Sequence, residues 1–217
     1  MISLKPIFLM YDNGVDQLER KAADEAVKKA AKIFQNRPAF TLGNLVKVDG
    51  YEIPIDSLVQ NSPILRQTAY GNQIDVDGVH SAVFNSKLHK NSPFIGVVLT
   101  SKDLTAKFGR NYLNFCFGYT FGDVTIQSVA RFRDMSDKNR ETMIEGVILH
   151  ELGHVFHLAE DRNRSHTEYN LGMHCTNLGC VMNQGLTREA MLKHFKIAKK
   201  MGRIYCPQCM LETGSQN

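Results

Sequence analysis

The stretch "HELGHVFHLAE", residues 150–160, decides how this chain is read. His150 and His154 are spaced i, i+4, which on a helix sets them one turn apart and about 40° around the axis. Two imidazoles so placed can meet one zinc ion, and Glu151 can reach a water beside that ion without ligating it. A glutamate there is a candidate general base, taking the proton of the water as it attacks a carbonyl. The stretch belongs to residues 133–158, whose apolar side chains recur at helical spacing, with Ser136 or Asp137 as N-cap. Ile144, Ile148, Leu152 and Val155 form one stripe, expected to pack on a sheet while the histidines face a cleft.

That pair needs completing, because a catalytic zinc takes a third protein ligand and keeps a fourth position open. If the helix continues, His157 lies about 10 Å along the axis from His150, too far to share an ion. Glu160, His166 and His174 follow in the chain as candidates.

Upstream, "KPIFLMY" reads as a buried strand closed by the turn cluster Asp12, Asn13 and Gly14. Residues 15–34 read as a long amphipathic helix stopped by Asn36, Arg37 and Pro38, and "AFTLGNLVKV" as a second strand. Pro54, Pro63 and Gly71 break residues 49–72. "VDGVHSAVFNSKLHK" suits a helix weakened by Gly78, and "PFIGVVLTS", "LNFCFGYTF" and "VTIQSVARF" suit strands. Downstream, "AEDRNRSHTEYNLG" is polar and aperiodic, the pattern of an exposed loop, before a last helix, "TREAMLKHFKIAKK", from Thr187. The expected class is α/β (α+β): a twisted mixed sheet, a long backing helix, a helix carrying the histidines and a small C-terminal unit. We divide the chain into residues 1–158 and 159–217 on this basis.

The cysteines make a second constellation. Cys175 and Cys180 form C-x4-C, Cys206 and Cys209 form C-x2-C, and 25 residues separate the pairs. Both spacings suit one zinc held by four thiolates, a closed shell and therefore structural. Such a site would clip the C-terminal segment onto the loop carrying His174. Cys116 alternates with aromatic residues in "NFCFG" and reads as a small buried hydrophobe.

Composition bounds the rest. The 217 residues are 43% hydrophobic and 22% charged with a formal charge of +4, ordinary for a globular protein and too mild to point to nucleic acid. Arg188, Lys193, Lys196, Lys199, Lys200 and Arg203 read as a solvated helix face. No apolar run approaches the ~20 residues of a membrane span, and the N-terminus lacks a signal-peptide pattern, so a cytoplasmic protein is expected.

Taken together, these residues resemble the archaemetzincins, a branch of the metzincin zinc peptidases. "HELGH", the pair His174-Cys175, Cys180 followed by Met182, and the closing Cys206 and Cys209 stand in that family's order. "GVVLTSKDL" and "LNFCFGYTFGDVTIQSVARFR" look like its strand, edge strand and following strand, so the resemblance runs from about residue 93 to 209.

The resemblance implies two zinc ions per chain. His150, His154 and His174 would hold a catalytic one with Glu151 as general base, and Cys175, Cys180, Cys206 and Cys209 a structural one. Met182 would sit in the methionine turn, and Asn114, Phe115, Cys116, Phe117 and Gly118 would form an edge strand to which a peptide substrate pairs. A monomer acting on peptides or proteins is expected. Tyr119 and Tyr169 are candidates to help zinc stabilise an oxyanion.

The chain departs from the family at one place. His157 stands where the family has a turn glycine, and 19 residues separate His154 from His174. Residues 159–172 are therefore expected to be an inserted loop, with Gly172 aiding its return. The alternatives are Glu160 as third ligand, or a cleft capped by Glu160, Asp161 or His166 in a zinc-stabilised binding protein.

Overall fold

Apolar runs whose side chains alternate between two separate clusters build the centre of the molecule. The computed structural model describes residues 6–34, 65–68, 70–86, 90, 94–160 and 164–212. The expected strand at 39–48, the helix stop at 36–38, Pro54, Pro63 and Asp161 lie outside the described residues.

In chain order the described elements are β1 (Ile7–Tyr11), α1 (Gln17–Phe34), β2 (Leu65–Thr68), β3 (Gly71–Asp75), α2 (Val76–Phe84) and β4 (Ile95–Thr100). Next come the short β5 (Leu104–Thr105), β6 (Lys107–Phe108) and β7 (Asn111–Tyr112), then β8 (Gly118–Phe121), β9 (Val124–Ser128) and α3 (Asp137–Val155). β10 (Thr167–Tyr169), β11 (Met173–Cys175), α4 (Arg188–Lys200) and α5 (Pro207–Glu212) complete them.

The main sheet has the order β1-β4-β9-β8: the first three strands are parallel, and β8 returns antiparallel on the edge. Because successive side chains on a strand point to opposite faces, Ile95, Val97 and Leu99 of β4 join a cluster with α1 and α3, whereas Val98 joins another with α2. The sheet is thus covered on both faces. Smaller sheets, β2-β3-β5 and the hairpin β6-β7, stand beside it.

α1 meets α3 through an alanine face, Ala22, Ala23, Ala26 and Ala30, which lets the two helices approach closely. Its N-terminus carries a reciprocal capping box: the Glu19 amide donates to Asp16 Oδ1 at 2.9 Å and the Asp16 amide to Glu19 Oε2 at 2.8 Å. Arg133, just before α3, grips the same buried carboxylate through Nε at 2.9 Å and Nη2 at 2.8 Å.

α3 differs from its expected two-sided form. Ile144, Ile148 and Leu152 are buried, but so are Met143, Val147 and Leu149, since α1, the sheet and α4 pack around it. It starts at the Ser136 cap and stops at Val155, short of the expected 158. The Leu158 amide donates to the Gly153 carbonyl at 2.9 Å and the His157 amide to that of His154 at 3.0 Å, a Schellman closure. His157 takes the left-handed position at φ 57°, the conformation that favours glycine.

Two further expectations change. Of "LNFCFGYTF" only Gly118–Phe121 is strand, and "VTIQSVARF" leaves β9 after Ser128 for a short 3-10 turn. The expected helix from residue 76 ends at Phe84. No helix among the described residues is long and apolar enough to cross a membrane.

Candidate active site

Three imidazoles converge at the end of α3. His150 and His154 come from adjacent turns, and His174 comes from β11; their ligand atoms lie within 4.8 Å of one another. Zinc–imidazole bonds of about 2.0–2.1 Å at tetrahedral angles separate two nitrogens by about 3.3–3.4 Å. His150 Nε2 and His154 Nε2 are 3.3 Å apart. His150 Nδ1 lies 2.8 Å from the Val181 carbonyl and His174 Nδ1 3.1 Å from that of Gly172, bonds that fix each ring with Nε2 left as ligand. Burial pushes all three below the ordinary histidine range, His174 to about 3, so the rings are neutral with lone pairs available. The donor set fits a divalent metal such as zinc.

Glu151 lies beside this trio and is buried. Burial raises its carboxyl to about 7, and the hydrogen bond from Thr120 opposes the rise. Thr120 Oγ1 sits 2.6 Å from Glu151 Oε2 and 3.1 Å from the Glu151 carbonyl, which ties the carboxylate to edge strand β8. Gly118, two residues earlier on the same face, leaves the room: a Cβ there would lie 2.6 Å from Glu151 Oε1 and 2.8 Å from Cδ. A cleft of about 480 Å³ opens in front, lined on one side by residues 113–122 and on the other by His157, Glu160, Leu171 and Gly172.

All five residues expected to bind substrate, Asn114, Phe115, Cys116, Phe117 and Gly118, line this cleft. Only Gly118 does so from the strand. Residues 114–117 are instead held from outside: Gln73 Nε2 donates to the Asn114 carbonyl at 2.7 Å, the Cys116 amide donates to Leu104 at 3.0 Å, and the Arg131 guanidinium lies 4.0 Å from the Phe115 ring centre. Tyr119 lines the cleft too, while Tyr169 is exposed on β10 and does not. Glu160 is turned from the trio: its Oε1 lies 2.9 Å from His157 Nδ1 and its amide donates to Glu212 at 3.1 Å.

The expected loop at 159–172 is in part a hairpin. β10 and β11 pair antiparallel with Glu168 opposite His174, around a turn in which Leu171 has φ 54° and Gly172 φ 136°. His174 and Cys175 are consecutive on β11, so they face opposite ways.

Cys175 accordingly meets Cys180, Cys206 and Cys209, all buried and within 4.8 Å of one another. The Cys175–Cys206 and Cys180–Cys209 sulfurs are 3.7 and 3.6 Å apart. A tetrahedral zinc–thiolate shell with bonds of about 2.3 Å requires about 3.8 Å, and a disulfide about 2.05 Å. Hydrogen bonds from its neighbours, Cys175 first, pull the Cys206 thiol down, while the same kind of contacts push the Cys209 thiol up. Here too the donors fit zinc.

Met182 packs under the histidine helix. A Cβ on Gly153 would lie 2.1 Å from its Sδ, so the glycine of "HELGH" is what admits the methionine. No local pattern points to Arg164, whose Nη2 lies 3.4 Å from Cys209 Sγ and whose Nη1 is 2.6 Å from Glu212. Thr120 was missed as well, although its parity with Gly118 on a strand places it on the Glu151 face.

No family model and no curated protein matches the chain. Solved structures do. An archaemetzincin from Methanopyrus kandleri superimposes with a TM-score of 0.62 at 18% identity, covering 98% of this chain and 97% of that one. A zinc-dependent peptidase from Methanocorpusculum labreanum gives 0.58 at 17% identity over 96% and 100% of the two chains. An archaemetzincin from Archaeoglobus fulgidus, solved with malonate, gives 0.55 at 17% over 95% and 99%. The chain is archaemetzincin-like in fold: a mixed sheet with helices, carrying a C-terminal cysteine cluster.

Proposed function

We propose that this chain is a zinc-dependent peptidase that hydrolyses extended polypeptides. The observation that carries the reading is the convergence of His150, His154 and His174 beside a buried carboxylate at the floor of a cleft edged by a strand. The kinship of fold with a zinc-dependent peptidase and with archaemetzincins supports it.

His150, His154 and His174 would hold the catalytic zinc, which supplies Lewis acidity to a peptide carbonyl and makes water a nucleophile near neutral pH. Glu151 accepts one proton from the attacking water and later delivers it to the nitrogen of the departing amine, so the protons balance and the carboxylate is regenerated. Thr120 keeps the carboxylate oriented through its 2.6 Å hydrogen bond. The substrate backbone pairs with the outer edge of β8, which no described strand covers. Cys175, Cys180, Cys206 and Cys209 would hold a second, structural zinc, and Met182 buttresses the helix from below. The described part of residues 1–158 would supply the cleft's sheet and helix, and that of residues 159–217 would close it with the third histidine.

Glu151→Ala tests the reading. Hydrolysis of a peptide library falls by roughly 10²–10⁴-fold, the loss expected when a general base is removed, while the metal content measured by elemental analysis is unchanged. A wild type that holds metal but turns over no peptide would overturn it.

A further inference from the structure

β8 has two faces, and the chemistry uses only one. Gly118 and Thr120 lie against Glu151. Tyr119 and Phe121 point the other way, Tyr119 onto the cluster built with α2 and Phe121 onto His80. There Phe121 meets the His80 ring edge-on, with centroids 4.8 Å apart, and His80 stacks on Phe84 one helical turn along α2 at 5.9 Å. Phe121 is 61% exposed and Phe84 49%, with the half-buried His80 ring between them. Phe121 also lines the cleft, which makes the platform continuous with it.

We infer that the Phe84–His80–Phe121 platform is a specificity subsite for a large apolar or aromatic side chain of the substrate. The inference rests on the peptidase reading, which lays an extended peptide along β8. Side chains of residues paired across adjacent strands project to the same face, and successive residues alternate. A peptide on this edge therefore turns every second side chain towards the histidines and Glu151. The intervening ones turn towards the face carrying Tyr119 and Phe121. Those opposite Phe121 reach the platform, where ring–ring contact and removal of apolar surface from water favour them. The preference is thus for aromatic residues at positions of one parity, not at neighbouring positions.

The test walks a single Phe through an otherwise Gly/Ala/Ser peptide carrying a fluorophore, and reads both anisotropy binding and cleavage. In the wild type, Phe at positions of one parity tightens binding about tenfold over the parent peptide, and Phe at the adjacent positions does not. Phe84→Ser and Phe121→Ser each remove that gain; both residues are exposed, and circular dichroism and metal content report whether the variants remain folded. Wild-type binding with no parity pattern, or variants that keep the gain, overturns the subsite. Absence of cleavage with the parity pattern intact in binding would overturn the peptidase reading and leave the subsite standing.

Discussion

The histidine centre and the cysteine centre meet at adjacent residues, His174 and Cys175, yet they are built on opposite principles. The histidine set supplies three donors at the wall of a cleft, whereas the cysteine set supplies four, all buried. Three donors leave a coordination position for chemistry; four complete the shell. β11 is what allows both, since a strand sends neighbouring side chains to opposite faces. On the proposed reading the cysteine centre is the anchor and the histidine centre the dependent, because β11, which returns His174 to the helix, runs directly into Cys175.

That order of dependence can be broken experimentally. Cys206→Ser should have the largest effect. A structural zinc contributes on the order of 10 kcal/mol where folding is coupled to it, so the variant should lose metal from both centres and melt far below the wild type, read by elemental analysis and calorimetry. His174→Ala should lose only the metal of the histidine centre and keep its cooperative melt. If the cysteine variant kept histidine-bound metal, the two centres would be independent.

Arg164→Met sharpens the same point at smaller scale. It removes the guanidinium that touches Cys209 and pairs with Glu212. Losing a buried, charge-assisted contact should cost about 1.5–3 kcal/mol. The variant should also release metal faster to a chelator followed by absorbance. Smallest of all, His157→Gly should stabilise the protein by roughly 0.5–1 kcal/mol, because glycine adopts the left-handed conformation without a Cβ clash. The measure is the urea midpoint, and a decrease would mean that the His157–Glu160 contact outweighs the strain.

Much of the site was legible because its signals are local spacings. His150, His154 and Glu151 needed only one helical turn, and the cysteines announced themselves by two short intervals. The strands β1 and β4 followed from apolar runs, and β9 from its β-branched residues Val124, Thr125 and Ile126. What escaped depended on distant partners. Residues 113–121 read as one strand by alternation, yet Asn114 is drawn aside by Gln73, 41 residues away. The α3 stripe looked one-sided because nothing in the local pattern reveals that α1 and α4 both close on it. The β10-β11 hairpin is polar and only three residues per strand, too short for a periodic signal.

The neighbouring placement of His174 and Cys175 would also give the fold a means of proofreading. Were β11 to pair with β10 one residue out of frame, a thiol would turn towards the histidines and an imidazole towards the thiols, and neither set could close. If both sets take metal as proposed, only a chain whose frame is right could close them, and metal uptake would double as an inspection step before the protein is put to work.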